Sequence, residues 1–290
     1  MQNTDNYSKV IVGTMTWGSW GKQLGTKGMI DLMEHCLEVG LHTFDHADIY
    51  GDYTTEADFG KALAESTIDR SQIQLITKCG IQMTSRKGIQ LKHYDYSKDH
   101  IIWSAEQSLK NLKTDYIDLF LLHRPSPLLN PSVVAEAIDK LLVTGKIKQF
   151  GVSNFSPSQV AMLDKFIPIR ANQVEFSITH LDPLYDGTFD DCLSNGRMAM
   201  SWSPLGQVFR EKSDRTERVN NTLRELADKY NVEASQFLLA WMLHHPATPR
   251  PVIGTTTKER LTGSAKAQHI DIELQDWFKL LESSHGQEVP

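Results

Sequence analysis

The sequence is poor in the features that would divide the chain or anchor it. Cysteine is scarce, with three in 290 residues. Cys36, Cys79 and Cys192 are odd in number and widely spaced, and no CxxC occurs. That argues against a disulfide framework and a thiolate zinc site. The longest apolar stretches, such as Leu238–Leu243, fall far short of the ~20 residues that cross a bilayer. The N-terminus, MQNTDNYSKV, lacks the apolar centre of a signal peptide. Net charge is −6 and no run of Lys or Arg stands out, so there is no nucleic-acid footprint. No Gly/Ser linker or low-complexity tract interrupts the chain. The expectation is a reduced, cytoplasmic protein with one domain over residues 1–290, and with no metal, nucleic acid or membrane partner.

What is present is alternation. The chain is 40% hydrophobic and 23% charged, which suits one large α/β domain or two small ones. Short apolar runs read as buried strands and longer 3.6-period runs as helices. Eight strand candidates follow one another: KVIVG, LHTFD, IQLITK, YIDLFLLH, IKQFGVS, RANQVE, MAMSW and PVIG. Helical patterns lie between them. Two helices, around Arg215–Lys229 and Glu233–His245, precede the last strand, and ELQDWFKLLESS closes the chain. Parallel strands need crossovers, and these crossovers are helices. Eight such units predict a closed (β/α)8 TIM barrel with extra helices before the last strand and at the C-terminus. The competing open doubly wound sheet is disfavoured. Its first βα turn should carry GxGxxG before a helix, and GTMTWGSWGKQLG does not.

Several strands end on a polar residue. The second ends at Asp45, the third at Lys78, the fourth at His123, the fifth at Ser153-Asn154 and the seventh at Trp202-Ser203. In a barrel those ends ring one opening, where active sites are built. Asp45, Lys78 and His123 lie on successive strands, and Tyr50 follows five residues after Asp45. A Tyr hydroxyl titrates near ~10, and a neighbouring ammonium lowers that value. Lys78 is expected to supply the charge, with Asp45 holding it, while His123 donates a hydrogen bond to a substrate oxygen. Such a group suits protonation of an oxygen that is becoming an alkoxide. Taken singly, each residue has a plain structural explanation as an ion pair, a polar cap or a rim aromatic. Their coincidence on adjacent strand ends is what points to chemistry. A metal-dependent hydrolase using His42, Asp45, His46 and Asp48 is the competing site. Period-2 alternation sends His42 and Asp45 to opposite faces, which disfavours it.

FDHADIYG, ITKCG, LFLLHRP, GVSNFSP, NQVEFS, SWSPLG and VIGTTTKERL resemble, in order, the signatures of the aldo-keto reductases. The resemblance runs from about Val10 to Leu261. It implies a barrel that binds NADPH across its mouth and reduces aldehydes or ketones. It implies a catalytic tetrad of Tyr50, Asp45, Lys78 and His123, with Tyr50 as proton donor. By the same resemblance Ser153, Asn154 and Gln173 hold the nicotinamide carboxamide, and Trp202 stacks on the nicotinamide ring. Ser203, Leu205 and Gly206 follow the pyrophosphate. Met15, Thr16, Ile253, Gly254, Thr255 and Ser264 complete the cofactor contacts, and Trp17 and Trp20 line the substrate pocket. Some relatives regulate partner proteins, so an NADPH sensor with little turnover is the alternative function.

The cofactor tail also follows from the residues. Thr256, Thr257, Lys258 and Glu259 fit a capping box with Thr256 as N-cap. A helix N-terminus binds anions, and Lys258 and Arg260 add charge for a 2′-phosphate. His46, Trp202, Gly254 and the Gly263-Ser264 pair depart from the commonest family residues. Cys79 is expected to be a buried thiol facing the helices. The loops expected to set specificity are Gly18–Gly25, Arg124–Asn130, Gln207–Asp214 and Glu282–Pro290. A monomer and a small carbonyl substrate are expected.

Overall fold

The eight expected strands close into one ring in the computed structural model, which describes residues 6–290. The barrel strands are β1 (Ile11–Gly13), β2 (Thr43–Asp45), β3 (Gln74–Cys79), β6 (Ile117–Leu122), β7 (Ile147–Ser153), β8 (Ala171–Glu175), β9 (Met198–Trp202) and β10 (Arg250–Ile253). All pair in parallel, and β10 returns to β1 to close the barrel. Two further strands, β4 (Ile81–Gln82) and β5 (His93–Tyr94), form an antiparallel hairpin above β3. Strand periodicity gives no warning of it, because two-residue strands are too short to show a period.

The crossover helices are α1 (Thr26–Glu38), α3 (Thr55–Glu65), α4 (Lys98–Leu112), α5 (Pro131–Val143), α6 (Pro157–Asp164), α7 (Thr188–Asn195) and α10 (Lys258–Lys266). A short turn of helix, α2 (Tyr50–Tyr53), precedes α3. The expected extra helices are α8 (Asp214–Tyr230), α9 (Ala234–Leu243) and α11 (Leu274–His285). Helix starts follow their local chemistry. Ser156 caps α6 in a capping box with Gln159, ahead of Pro157, a ring pre-set for the first helical position. Asn130 caps α5 by accepting from the Ser132 backbone, ahead of Pro131. At α10 the expected box does not form. The N-cap is Thr257 and no side chain caps it. The helix begins one residue later than the sequence suggests.

The core has two layers. Ile11, Ile76, Leu119, Leu121, Met200 and Val252 fill the barrel interior together with Tyr7. Larger clusters lie between strands and helices, and Cys79 sits in one of them, facing outward as expected. Tyr7 closes the floor. Its hydroxyl donates to Gln149 at 3.1 Å, and Arg250 donates to its carbonyl at 2.6 Å. Tyr7 thus seals this end of the barrel with one aromatic ring; residues 1–5 lie outside the described range. Among the described residues no helix is long and apolar enough to cross a membrane.

Candidate active site

Lys78 is the centre of the site. It is wholly buried, and its Nζ donates to Asp45 Oδ2 at 2.7 Å, to the His46 carbonyl at 2.7 Å and to the Tyr50 hydroxyl at 3.2 Å. An ammonium has three protons, and all three are used. Burial by itself would lower the Lys78 pKa, but Asp45 and Tyr50 outweigh it and the net shift is upward. Lys78 stays charged. Gln173 donates its side-chain amide to the other Asp45 oxygen at 2.9 Å, so the carboxylate is held from both sides.

Tyr50 is pushed up from its ordinary value, first by burial and then by Asp45 and Asp48; Lys78 pulls it down without prevailing. The expected downward tuning is therefore corrected. The same carboxylate that fixes the ammonium also opposes the phenolate. Tyr50 is a protonated phenol at neutral pH, and Lys78 is placed to steady the phenolate that remains after a proton leaves. His123 packs its ring edge-on to Tyr50, with centroids 6.1 Å apart. Burial, then Lys78, Arg124 and Lys92, drive its pKa well below the ordinary value. It is a neutral imidazole. Its Nδ1 is sealed from solvent and unpartnered, leaving Nε2 to meet a ligand.

A second network continues from this group. Ser153 Oγ donates to the Gln173 carbonyl at 2.8 Å, and Asn154 Nδ2 reaches Ser153 Oγ at 2.8 Å and the His123 carbonyl at 3.3 Å. Asn154 has φ 63°, a left-handed conformation that Asn tolerates. Its Oδ1 accepts from Trp202 Nε1 at 2.9 Å. The Trp202 ring is thereby fixed at the end of β9, partly exposed at the mouth.

The remaining expected residues run from Trp202 to α10. Ser203 turns the chain with φ 53°. Gly206 has φ +50°, and a Cβ there would lie 2.1 Å from Thr179 Oγ1, so only glycine fits. Leu205 is half-buried beside it. Ile253 ends β10, and Gly254 accepts from Thr16 Oγ1 at 2.9 Å next to exposed Met15. Thr255 Oγ1 accepts from the Thr257 backbone at 3.2 Å. Thr256 is half-buried, Lys258 and Arg260 are exposed, and Ser264 returns its hydroxyl to the Arg260 carbonyl. With no side-chain cap, the first N–H groups of α10 are open to an anion. These features fit an extended dinucleotide: a flat ring surface, a close backbone approach, and an open helix start flanked by cations.

Trp17 is not part of the mouth. It is fully buried against Phe44 and Phe59, with ring centroids at 6.1 and 5.9 Å. The helical layer captures it because an indole of that size buries more area there than at a wet rim. Trp20 does stand at the mouth, 6.3 Å from the Tyr50 ring, with Nε1 donating to Asp52. Among the described residues no group of three His, Cys, Asp or Glu is arranged to hold a metal. His46 is buried, its Nδ1 taken by Thr14 Oγ1 at 2.8 Å.

Sequence reasoning missed three features. One is the Asp48–Glu56 pair of carboxyls, both raised above the ordinary range. Another is Arg124, which lies over the Trp202 ring. The third is Tyr96, whose hydroxyl accepts from the Arg124 backbone and donates to its carbonyl. Each depends on loops whose course no periodicity encodes.

A parallel barrel with an ion pair, a phenol and an imidazole at the carboxyl ends of its strands defines a class: barrel oxidoreductases. The chain belongs to the aldo/keto reductase family, whose model matches residues 9–283, and whose members generally use a nicotinamide cofactor. It is 40% identical to the uncharacterized oxidoreductase YcsN of Bacillus subtilis, over 98% of this chain and 96% of that one. It is 36% identical to a 6-dehydroglucose reductase of Agrobacterium fabrum, over 89% and 88%. The crystal structure of a thermostable aldo-keto reductase, Tm1743, superimposes with a TM-score of 0.81 at 27% identity, covering 95% and 94% of the two chains.

Proposed function

We propose that the protein is an NADPH-dependent reductase of aldehydes or ketones in which Tyr50 delivers the proton. The observation that carries this is the three-way bond set of the buried Lys78 ammonium, which ties Asp45 to the Tyr50 hydroxyl. The cofactor, when bound, supplies a hydride to the carbonyl carbon. The residues of the chain do the rest. Trp202, fixed through Asn154, offers a flat surface to the nicotinamide. His123, neutral, donates a hydrogen bond to the carbonyl oxygen and polarises it. Tyr50 gives that oxygen its proton as negative charge develops, and Lys78 stabilises the phenolate left behind. Ser153 and Asn154 are the groups nearest to a carboxamide. Gln173, with one amide N–H committed to Asp45, keeps its oxygen and its second N–H for a ligand. The open start of α10, with Lys258 and Arg260, supports NADPH over NADH through the 2′-phosphate.

The relative named as a 6-dehydroglucose reductase supports including oxidised sugars among the carbonyls screened. Tyr50→Phe is the decisive variant. Turnover should fall by roughly 10²–10⁴-fold, while NADPH binding, followed by quenching of protein fluorescence, stays within about twofold. Retention of wild-type kcat would remove Tyr50 from the mechanism. A cofactor that binds tightly while no carbonyl is reduced would favour the sensor alternative.

A further inference from the structure

Arg124 is a half-buried arginine just past the end of β6. It directly follows His123, and its guanidinium carbon stands 5.4 Å from the centre of the Trp202 ring. A cation–π contact engages the charge and leaves the N–H donors free. Among the described residues the Arg124 side chain has neither a hydrogen-bond acceptor nor a carboxylate partner. Several other half-buried or buried arginines do have acceptors. Arg70 is on Asp118, and Arg197 is on Asp164 and Asp191. A partly desolvated guanidinium without an acceptor is costly.

The backbone of Arg124 is built to stay where it is. Tyr96 Oη donates to its carbonyl at 2.5 Å and accepts from its N–H at 3.1 Å. The Tyr96 ring in turn needs Gly80, where a Cβ would come within 2.0 Å of a ring carbon and φ is +108°. A second cation points the same way. Lys92, on the segment between β4 and β5, has no ion-pair partner among the described residues, and its field reaches His123 together with that of Arg124. The mouth is thus positive on the His123 side in a chain whose net charge is −6. On the Tyr50 side, the Asp52 carboxylate accepts from Trp20 Nε1.

We infer that Arg124 is the anion-recognition residue of the substrate pocket, so that the preferred substrates are carbonyl compounds carrying a carboxylate or phosphate. This rests on the reductase reading above and narrows it. The guanidinium binds the anion through two parallel hydrogen bonds. Lys92 adds attraction at longer range, which salt screens. The carbonyl oxygen is then presented to Tyr50 and His123.

Matched pairs test this. Succinic semialdehyde is compared with butanal for the carboxylate, and glyceraldehyde 3-phosphate with glyceraldehyde for the phosphate. The wild type should favour the anionic member of at least one pair by about tenfold or more in kcat/KM, the scale of a charge-assisted bond. Whichever pair responds identifies the anion. Arg124→Gln should raise KM for the anionic member about tenfold more than for the neutral one, and Arg124→Lys should restore part of the loss. Succinate, which cannot be reduced, should bind the wild type in calorimetry and bind Arg124→Gln at least about tenfold more weakly. Equal use of both members by the wild type would overturn the inference while leaving the reductase reading intact. So would an Arg124→Gln defect that falls on NADPH affinity instead. Turnover of none of the carbonyls would overturn the reductase reading itself, whereas the succinate titration would still report on Arg124.

Discussion

Asp45 and Lys78 form an ion pair with both side chains 2% exposed or less. Such a pair is weak evidence for stability, since desolvation offsets the attraction, but removing one partner strands a charge. Asp45→Ala should therefore destabilise the protein by about 3–5 kcal/mol and abolish turnover. Adding Lys78→Met should recover most of the lost stability and none of the activity. Chemical denaturation and kcat measured on the wild type and the two variants decide this. If activity returned along with stability, the pair would be structural only. Gln173 belongs to the same unit, because its amide holds the second Asp45 oxygen. Its expected part in gripping the carboxamide is thereby left to its oxygen and one N–H.

The segment between β2 and α3 carries chemistry beyond Tyr50. Asp48 Oδ1 is sealed and unpartnered, and Oδ2 accepts from Ser104 of α4 at 3.1 Å. Desolvation and the neighbouring Glu56 push its pKa up to about 8. The folded protein thus keeps a proton on Asp48 that the unfolded chain releases near the ordinary value of 3.8. Between those values the folded state binds more protons, so stability falls as pH rises. His46 has the opposite sign, because burial and Lys78 lower it from 6.5 to about 3. The unfolded chain takes up that proton first as pH drops, and stability is lost on the acid side. The two oppose each other below about pH 6.5, and the Asp48 effect stands clear of His46 from there to about pH 8. Over that window stability should decline with a slope of up to ~1.4 kcal/mol per pH unit. Asp48→Asn should flatten the decline. Thermal midpoints at half-unit pH steps give the result, and an unchanged slope would count against a proton on Asp48.

At the scale of the whole molecule, the barrel has one open end and one closed end. The closed end depends on Tyr7, buried among Ile11, Met198 and Val252 and held by Arg250 and Gln149. Tyr7→Ala should leave a cavity under the lowest layer and cost about 3 kcal/mol or more. The denaturant midpoint should drop while KM values at the far end stay within about twofold. A midpoint within error of wild type would mean that Tyr7 is not the floor.

The sequence by itself determined the order of eight strands and their helices, since a buried parallel strand and an amphipathic crossover each leave a period in the chain. It also marked Asp45, Lys78 and His123, because a lone polar residue closing an apolar run is visible locally, and Tyr50 by its place five residues after Asp45. The α10 capping box was misread. A side chain that could cap need not do so, and here Thr257 takes the position without bonding. Trp17 was misplaced for a related reason: its neighbours Phe44 and Phe59 lie far along the chain and only packing brings them to it. The sign of the Tyr50 shift, the unpartnered guanidinium of Arg124 and the Tyr96 clamp were settled by tertiary structure alone. Each is a balance of burial and charge among side chains that meet in space and are not adjacent in sequence.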